Sequence, residues 1–495
     1  MVDENLIEHV SEIFEVRKKK LSELIKTKKN PYDKTKFLKD INSKEIKENF
    51  ETKNGTNVKI AGRIISKRIM GKASFSDLID ENGIIQLYIK KDNVSEETYE
   101  EYKEMDIGDI IGAEGEVFKT HKNEISVKIK KIVLLSKSLR PLPEKFHGFR
   151  DVDLRYRRRY IDLIVNPEVK KTFKLRSKII SSIRSFLDSM KYIEVETPIL
   201  NTIQGGAIAK PFITHHNTLN MDLFLRIAPE LHLKRLIVGG FEKVYEIGRL
   251  FRNEGISTKH NPEFTTIEIY EAYKDYNYMI DLAKKLIENI AMTVFGKTSI
   301  TYQNEIIDLS NWTKMTMIES IKKFIGIDFS EIKNVNDAVE LAVSAGVSLK
   351  KEMTIGEIIN FTFEEKIEKF LVQPTVITEY PIEISPLAKK IKNNTNFTER
   401  FEIFIINKEF GNGFSELNDP FDQKERFLEQ VKKREKGDQE ANMMDEDFIM
   451  ALEYGMPPTG GIGIGIDRLV MLLTDNPSIR DVLFFPTMKN LPSKC

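Results

Sequence analysis

Cysteine is nearly absent from this chain of 495 residues: its single thiol is Cys495, the last position. Neither a disulfide framework nor a thiolate zinc site can then be built within one chain, and a reducing, cytoplasmic compartment is expected. An excess of charge of one sign is also missing, because 76 basic and 76 acidic side chains cancel to a net charge of zero. That balance excludes a surface coated in polyanion, so any nucleic acid must bind locally. Long apolar runs are lacking as well. The N-terminus carries Asp3, Glu4, Glu8 and Glu12 instead of a basic region before an apolar stretch, and no segment is long and apolar enough to span a bilayer, so no membrane partner is expected. Internal repeats and low-complexity segments are not found.

The usual nucleotide motifs fail too. Gly296-Lys297-Thr298 resembles the end of a phosphate-binding loop, but Ala291 stands where the first glycine belongs and the lead-in is helical. The glycines from 460 to 465 do not have the spacing of a dinucleotide fingerprint. Their alternation with isoleucine describes a buried strand whose bare face lets something flat approach the backbone. His215 and His216 are adjacent, so on a strand they point to opposite faces and suit a structural role better than a shared metal.

What is present divides the chain into regions. A hydrophobic content of 41% supports a sizeable core, and the length calls for two or three domains. Residues 1–56 read as a helical extension, with Leu6, Ile7, Val10, Ile13 and Phe14 on one stripe. A basic run follows, from Arg17 to Lys20 with Lys26, Lys28 and Lys29; it is either a solvated helix face or a phosphate contact. Over 57–140 the pattern changes to about five short alternating segments, which suits a small closed barrel of the oligonucleotide-binding (OB) type. Arg140-Pro141-Leu142-Pro143 is a stiff linker into a larger domain, 141–495, which opens on a second basic segment at Arg155 to Arg159. Here a helix bearing Ile179, Ile183 and Leu187 feeds a strand, Tyr192 to Thr197, stopped by Pro198. A mostly helical insertion is expected at about 315–395, with two strands from Phe401 onward. The expected fold class is α+β: an N-terminal barrel followed by a domain built on a mostly antiparallel sheet flanked by helices.

The most informative stretch runs from Phe251 to Tyr270. Two alternating segments flank a polar turn, so a hairpin would put Arg252 and Glu254 on one face of its first strand, and Phe264, Glu268 and Tyr270 on one face of its second. Arg252 offers a planar fork of donors that can hold a carboxylate and a phosphate oxygen together, as needed when an amino-acid carboxylate attacks the α-phosphate of ATP; the alternative is a surface salt bridge. Arg468 is a second such arginine, placed with Phe264 to sandwich a purine. Glu402 and Glu409 offer hard oxygen ligands for Mg²⁺, and share a face if Asn407 and Lys408 form the turn between them. Asn412, Phe414 and Glu416 share a strand face; with Glu230, Glu268 and Tyr270 they make a pocket rich in carboxylate and poor in cations apart from Arg252. Such a pocket suits an ammonium ligand.

At these residues the chain resembles the class II (subclass IIb) aminoacyl-tRNA synthetases, and among them the lysyl-tRNA synthetase family of the bacterial and eukaryotic type. Motif 1 is matched by the segment ending Glu194-Val195-Glu196-Thr197-Pro198, motif 2 by Phe251 to Tyr270, and motif 3 by Gly461 to Arg468. Lysine-specific members also show Gly205-Gly206-Ala207, the run Arg226 to Leu231, and Gly411 to Leu417. The resemblance implies a lysine–tRNA ligase that uses L-lysine, ATP with Mg²⁺ (about three ions) and tRNA(Lys) as partners. It also implies that Glu416 and Tyr270 hold the ε-ammonium, and that Gly206, Glu230 and Glu268 hold the α-amino group. Arg252 would bridge lysine carboxylate and α-phosphate, Glu254 would read the adenine edge, and His260 would meet the outer phosphates. In the barrel, Phe75 and Gln86 match the family's stacking and hydrogen-bonding positions for the middle anticodon base, a uridine, and Arg63 and Glu124 are further anticodon candidates; the other reading of Phe75 is core. Motif 1 implies a homodimer with Pro198 near its interface. The aspartyl and asparaginyl enzymes share barrel and motifs but need a cation for the substrate side chain. A lysine ligase acting on protein would lack the barrel, and a non-catalytic RNA-binding protein would have little reason to keep the full ATP set.

Overall fold

The computed structural model describes residues 4–143, 149, 151–350 and 352–490, with side chains from residue 11 onward. Asp3, Cys495 and the side chains of Glu4, Leu6, Ile7, Glu8 and Val10 therefore lie outside the described residues. The chain forms two compact units, Met1–Asp151 and Val152–Cys495.

The first unit holds a helix, Glu4–Lys26, and five strands: β1 (Asn57–Met70), β2 (Ala73–Ile79), β3 (Ile84–Lys90), β4 (Ile110–Lys119) and β5 (Ile125–Ser136). They close in the order β1-β2-β3-β5-β4, the expected barrel. Alternation decides which side chains fill it. In β2 the buried positions are Ser74, Ser76 and Leu78, while Phe75 and Asp77 between them point outward. Phe75 is thus not core. The first basic run is largely committed within the unit. Arg17 is buried, donating to the carbonyls of Ser138 (3.0 Å) and Arg140 (3.3 Å), and Lys29 pairs with Glu97 and Glu101 at 2.6 and 2.5 Å. These contacts favour the structural reading of the run over phosphate contact.

The second unit is built on one large sheet. Its strands, in chain order, are β6 (Ile193–Glu194), β7 (Lys243–Phe251), β8 (Glu263–Ala272), β9 (Thr313–Thr316), β10 (Thr375–Pro381), β11 (Asn394–Ile405), β12 (Lys408–Ser415) and β13 (Thr459–Gly465). They lie side by side as β9-β10-β11-β12-β13-β8-β7-β6, with Lys390–Ile391 paired to β11, and all neighbours are antiparallel except β6-β7 and β9-β10. One face of the sheet packs on the helices Pro167–Ser189 and Tyr276–Phe295. Ile179, Ile183 and Leu187 of the first meet Ile462 and Ile464 of β13 in the same core. The other face forms the cavity described below.

Three expectations need correction. The strand foreseen from Tyr192 to Thr197 pairs only over Ile193–Glu194, because Pro198 follows closely and the strand sits at the sheet edge. The mostly helical segment does contain the helices Met317–Ile325, Val335–Ser344 and Ile355–Lys366, but Thr375–Pro381 is an interior strand, almost continuously buried as its apolar run allows. Finally, β7 ends at Phe251, so Arg252 and Glu254 stand on a long loop, 252–262, and not on a strand face. The second basic segment is also structural. Arg159 is buried and donates to Asp162 (2.7 Å) and to the carbonyls of Phe484 (3.1 Å) and Arg480 (2.7 Å).

Candidate functional site

A cavity of about 460 Å³ opens over strands β8, β13, β12 and β11. Gly461, Gly463 and Gly465 form its floor, because every second residue of β13 turns toward it while Ile462 and Ile464 turn to the core. A Cβ on Gly461 would lie 2.0 Å from Glu416 Oε1 and 2.6 Å from the Tyr270 ring, so bare backbone is required there. Gly463 has no such neighbour closer than 3.6 Å, which leaves its face open to a flat ligand.

At one end of the cavity three carboxylates meet. Glu230 opens the helix Glu230–Val238, Glu268 stands on β8, and Glu416 follows β12; all are buried, Glu416 to 1% exposure. The Tyr270 hydroxyl donates to Glu268 Oε2 at 2.9 Å. Burial pushes the Glu268 carboxyl up to about 8, with repulsion from Glu230 adding to it. Glu230 and Glu416 are pushed up by burial as well. Glu416 Oε1 has no hydrogen-bond partner. Gly206, with φ +87°, closes this end beside Ala228 and Glu230.

The pocket is not as poor in cations as its sequence implies. Lys234, one helical turn after Glu230, is wholly buried; its Nζ donates to Glu230 Oε1 at 2.6 Å, forms an ion pair with Glu416 Oε2 and lies 5.3 Å from the centre of the Phe414 ring. Burial works to lower its pKa, but the two carboxylates outweigh it and hold the ammonium above the ordinary lysine value. The i, i+4 spacing was a visible signal for this pair.

Toward the other end Arg252 lies over Phe264, 5.2 Å from the ring centre, and its buried Nε has no partner. No carboxylate pairs with it among the described residues, which removes the surface-salt-bridge reading. Arg468, in the first turn of the helix Ile466–Leu473, also lines the cavity and donates to the Glu409 carbonyl. Asp467 is already committed, accepting from Arg176 at 2.5 Å and from the Thr265 amide at 2.7 Å. Glu254 and His260 are exposed on the loop at the cavity rim, and burial with the nearby Arg468 lowers the His260 pKa, leaving the ring neutral at pH 7.

Glu402 and Glu409 face the same space. The turn between them is Ile406-Asn407, not Asn407-Lys408: both residues have positive φ (50° and 57°), the geometry of a two-residue hairpin turn. A register shift next to Phe404 helps bring the two carboxylates onto one side. Burial, then the Glu409 charge, raise Glu402 to about 7. Two carboxylates facing one space suit a cation, though no group of three or more such ligands occurs among the described residues. Arg400 tempers the pair, donating to Glu402 at 2.7 Å and to Asn412 Oδ1 at 3.0 Å. Asn412 is therefore committed through its oxygen, with its amide nitrogen left over. Asn442, unforeseen, is fully buried on the cavity wall with both side-chain atoms unpartnered.

On the barrel, Phe75 pairs with Tyr88 across β2 and β3 with ring centres 5.1 Å apart, and Phe118 lies 5.7 Å beyond Tyr88. Arg68 stands opposite Phe75, and Lys128 opposite Tyr88, on the same outer row. Gln86 accepts from Ser126 at 3.0 Å, and Arg63 donates to the Gly108 carbonyl at 2.7 Å. Glu124 is exposed and paired with Lys47 at 3.3 Å. Pro198 is exposed, in line with Ile193, Ile199 and Leu200, each 45–48% exposed. His215 bonds Asp222 and His216 accepts from the Leu219 amide, which bears out a structural role. Gly296 caps the end of a helix, the reverse of a phosphate-binding loop.

Known proteins show the family. Residues 151–489 match the family of class II tRNA synthetases (D, K and N), and residues 58–135 match the OB-fold nucleic acid binding domain of the tRNA anticodon type. The lysine–tRNA ligase of Thermoanaerobacter pseudethanolicus is 56% identical over 98% of this chain and 97% of its own length. That of Moorella thermoacetica is 55% identical over 98% and 99%, and that of Syntrophomonas wolfei 55% over 97% and 98%. Two matched domains and near-complete alignment leave one conclusion: the chain belongs to the class II tRNA synthetases (D, K and N), in the company of the lysine–tRNA ligases.

Proposed function

We propose that this chain activates L-lysine with ATP, releasing pyrophosphate, and passes the lysyl group to the 3′ end of tRNA(Lys). The observation that carries the reading is the acidic end of the cavity, with three buried carboxylates, one with an unpartnered oxygen, in the same cavity as an arginine whose Nε is also unpartnered. An uncompensated buried carboxylate costs several kcal/mol, and an amino acid with a side-chain ammonium removes that cost.

Glu416 and Tyr270 hold the ε-ammonium; Gly206, Glu230 and Glu268 hold the α-amino group, with Phe414 and Asn412 walling the side chain. Arg252 binds the lysine carboxylate and the α-phosphate. That carboxylate is already ionised, so its oxygen attacks phosphorus without a general base as the bond to the bridging oxygen breaks and pyrophosphate leaves. Phe264 and Arg468 enclose the purine, Glu254 reads its edge, and neutral His260 donates to an outer phosphate. Glu402 and Glu409 would hold Mg²⁺, about three ions in all with the polyphosphate, and the metal would supply neutralisation of charge on the phosphates. In the second step a hydroxyl of the terminal ribose attacks the lysyl carbonyl and AMP leaves. Phe75 and Gln86, with Arg63 and Glu124 elsewhere on the barrel, receive the anticodon, since exposed aromatics on a barrel stack unpaired bases. The exposed apolar strip at Pro198 is buried in a homodimer, and the enzyme works in the cytoplasm.

The test is pyrophosphate exchange measured with each amino acid in turn, followed by charging of purified tRNA(Lys). Exchange driven by lysine alone is expected; exchange driven by aspartate or asparagine, or by none, overturns the reading.

A further inference from the structure

Lys234 has no part in the chemistry just described, yet it is the most completely enclosed charge in the cavity wall. Its side chain is 0% exposed and does not reach the cavity surface. A buried ammonium is costly unless paired, and this one touches two carboxylates and a ring face at once.

The partition of oxygens is informative. Lys234 takes Oε1 of Glu230 and Oε2 of Glu416, while Oε1 of Glu416 is left over, pressed toward Gly461 and the Tyr270 ring. The nearby charges that are already matched can be set aside: Glu246 with Arg226, and Glu402 with Arg400. In the ionised form that can bind an ammonium, with Glu268 deprotonated, Glu230, Glu268 and Glu416 stand against Lys234 and Arg252, one negative charge in excess. A lysine molecule, with two ammonium groups and one carboxylate, carries one positive charge and closes that balance. Without Lys234 the excess would be two, and no single lysine could neutralise it.

We propose that Lys234 is a positioning residue for side-chain recognition: a resident ammonium that ties Glu230 to Glu416, leaving Glu416 Oε1 as the free acceptor, so that the substrate's ammonium enters beside Lys234 and does not replace it. This rests on lysine being the substrate. Glu230 and Glu416 come from a helix start and from the end of a distant strand, and Lys234 bridges the two side chains.

Two measurements test it. In Lys234→Met, which keeps the length and removes the charge, the KM for lysine in pyrophosphate exchange should rise by about 10²-fold, with kcat at saturating lysine and the KM for ATP near those of the parent enzyme. An unchanged or lower lysine KM overturns the proposal, and so does a parallel loss of kcat and ATP affinity, which marks a merely structural role. If that variant does not fold, a crystal structure of the unaltered enzyme with L-lysine decides. Lys234 Nζ still on Glu416, with the substrate ε-ammonium on the other oxygen, supports the proposal; a displaced Lys234 overturns it. If the unaltered enzyme shows no lysine-dependent exchange, it is the reading of the substrate that has failed, and not the role of Lys234.

Discussion

The outer face of the barrel and the floor of the cavity are both antiparallel sheet, yet they present opposite chemistry. On the barrel, Phe75 and Tyr88 stand outward, half-buried and flanked by Arg68 and Lys128. In the cavity, glycine bares the backbone while Glu230, Glu268 and Glu416 are buried around it. A base stacked on an exposed ring gains about 1–3 kcal/mol whatever its identity. Buried, partly unpaired carboxylates discriminate far more steeply, because a ligand that fails to match them leaves the charge uncompensated. Graded contact is enough for a polymer bound at many points; a small molecule seen once needs the steeper device.

If that contrast is right, damage at the two places should differ in kind and size. Arg252→Ala should cut lysine-dependent pyrophosphate exchange by about 10²-fold or more, with tRNA(Lys) binding retained; near-normal exchange would remove the arginine from the reaction. Next in size is Glu416→Gln, for which the lysine KM should rise about 30-fold or more while the KM for ATP holds steady. An equal rise in both would mean that the carboxylate shapes the whole cavity and not one ligand. On the barrel, Phe75→Ala should raise the KM for tRNA(Lys) about tenfold and leave exchange untouched, since lysine and ATP never meet that face; impaired exchange would break the comparison.

The smallest effect is one of pH. Glu268 is raised to about 8 by burial and by repulsion from Glu230, so below that value it is protonated and cannot pair with an ammonium. Above it the carboxylate is ionised and pairs. The KM for lysine should therefore fall by about fivefold between pH 7 and pH 8 and then level off. A lysine KM that rises over this range would show that another group governs binding.

Much of this could be read along the chain because it follows from local period. A strand repeats every two residues, so Phe75 and Gln86 share the outer face of the barrel, and Gly461, Gly463 and Gly465 share the floor of the cavity. Local period could not tell where the hairpin around Arg252 stops pairing, because β7 ends through its contacts and not its composition. The same limit put the turn one residue late, at Asn407-Lys408, when Ile406 in fact takes a positive φ. Lys234 was harder still. In Leu231-His232-Leu233-Lys234-Arg235 it reads as an ordinary helix cation, and only the approach of Glu416, 182 positions later in the chain, makes it a buried one. Asn442 carried no local signal at all: its lack of partners depends on what surrounds it.

The chain by itself determined the barrel, the glycine strand, the two arginines and the family, since each lies in a short segment whose spacing carries its meaning. Which charges are buried, which are paired and which are left over was decided only in the tertiary structure. The reason is physical: the cost of a charge depends on its distance from water and from every other charge, and those distances join residues far apart in sequence.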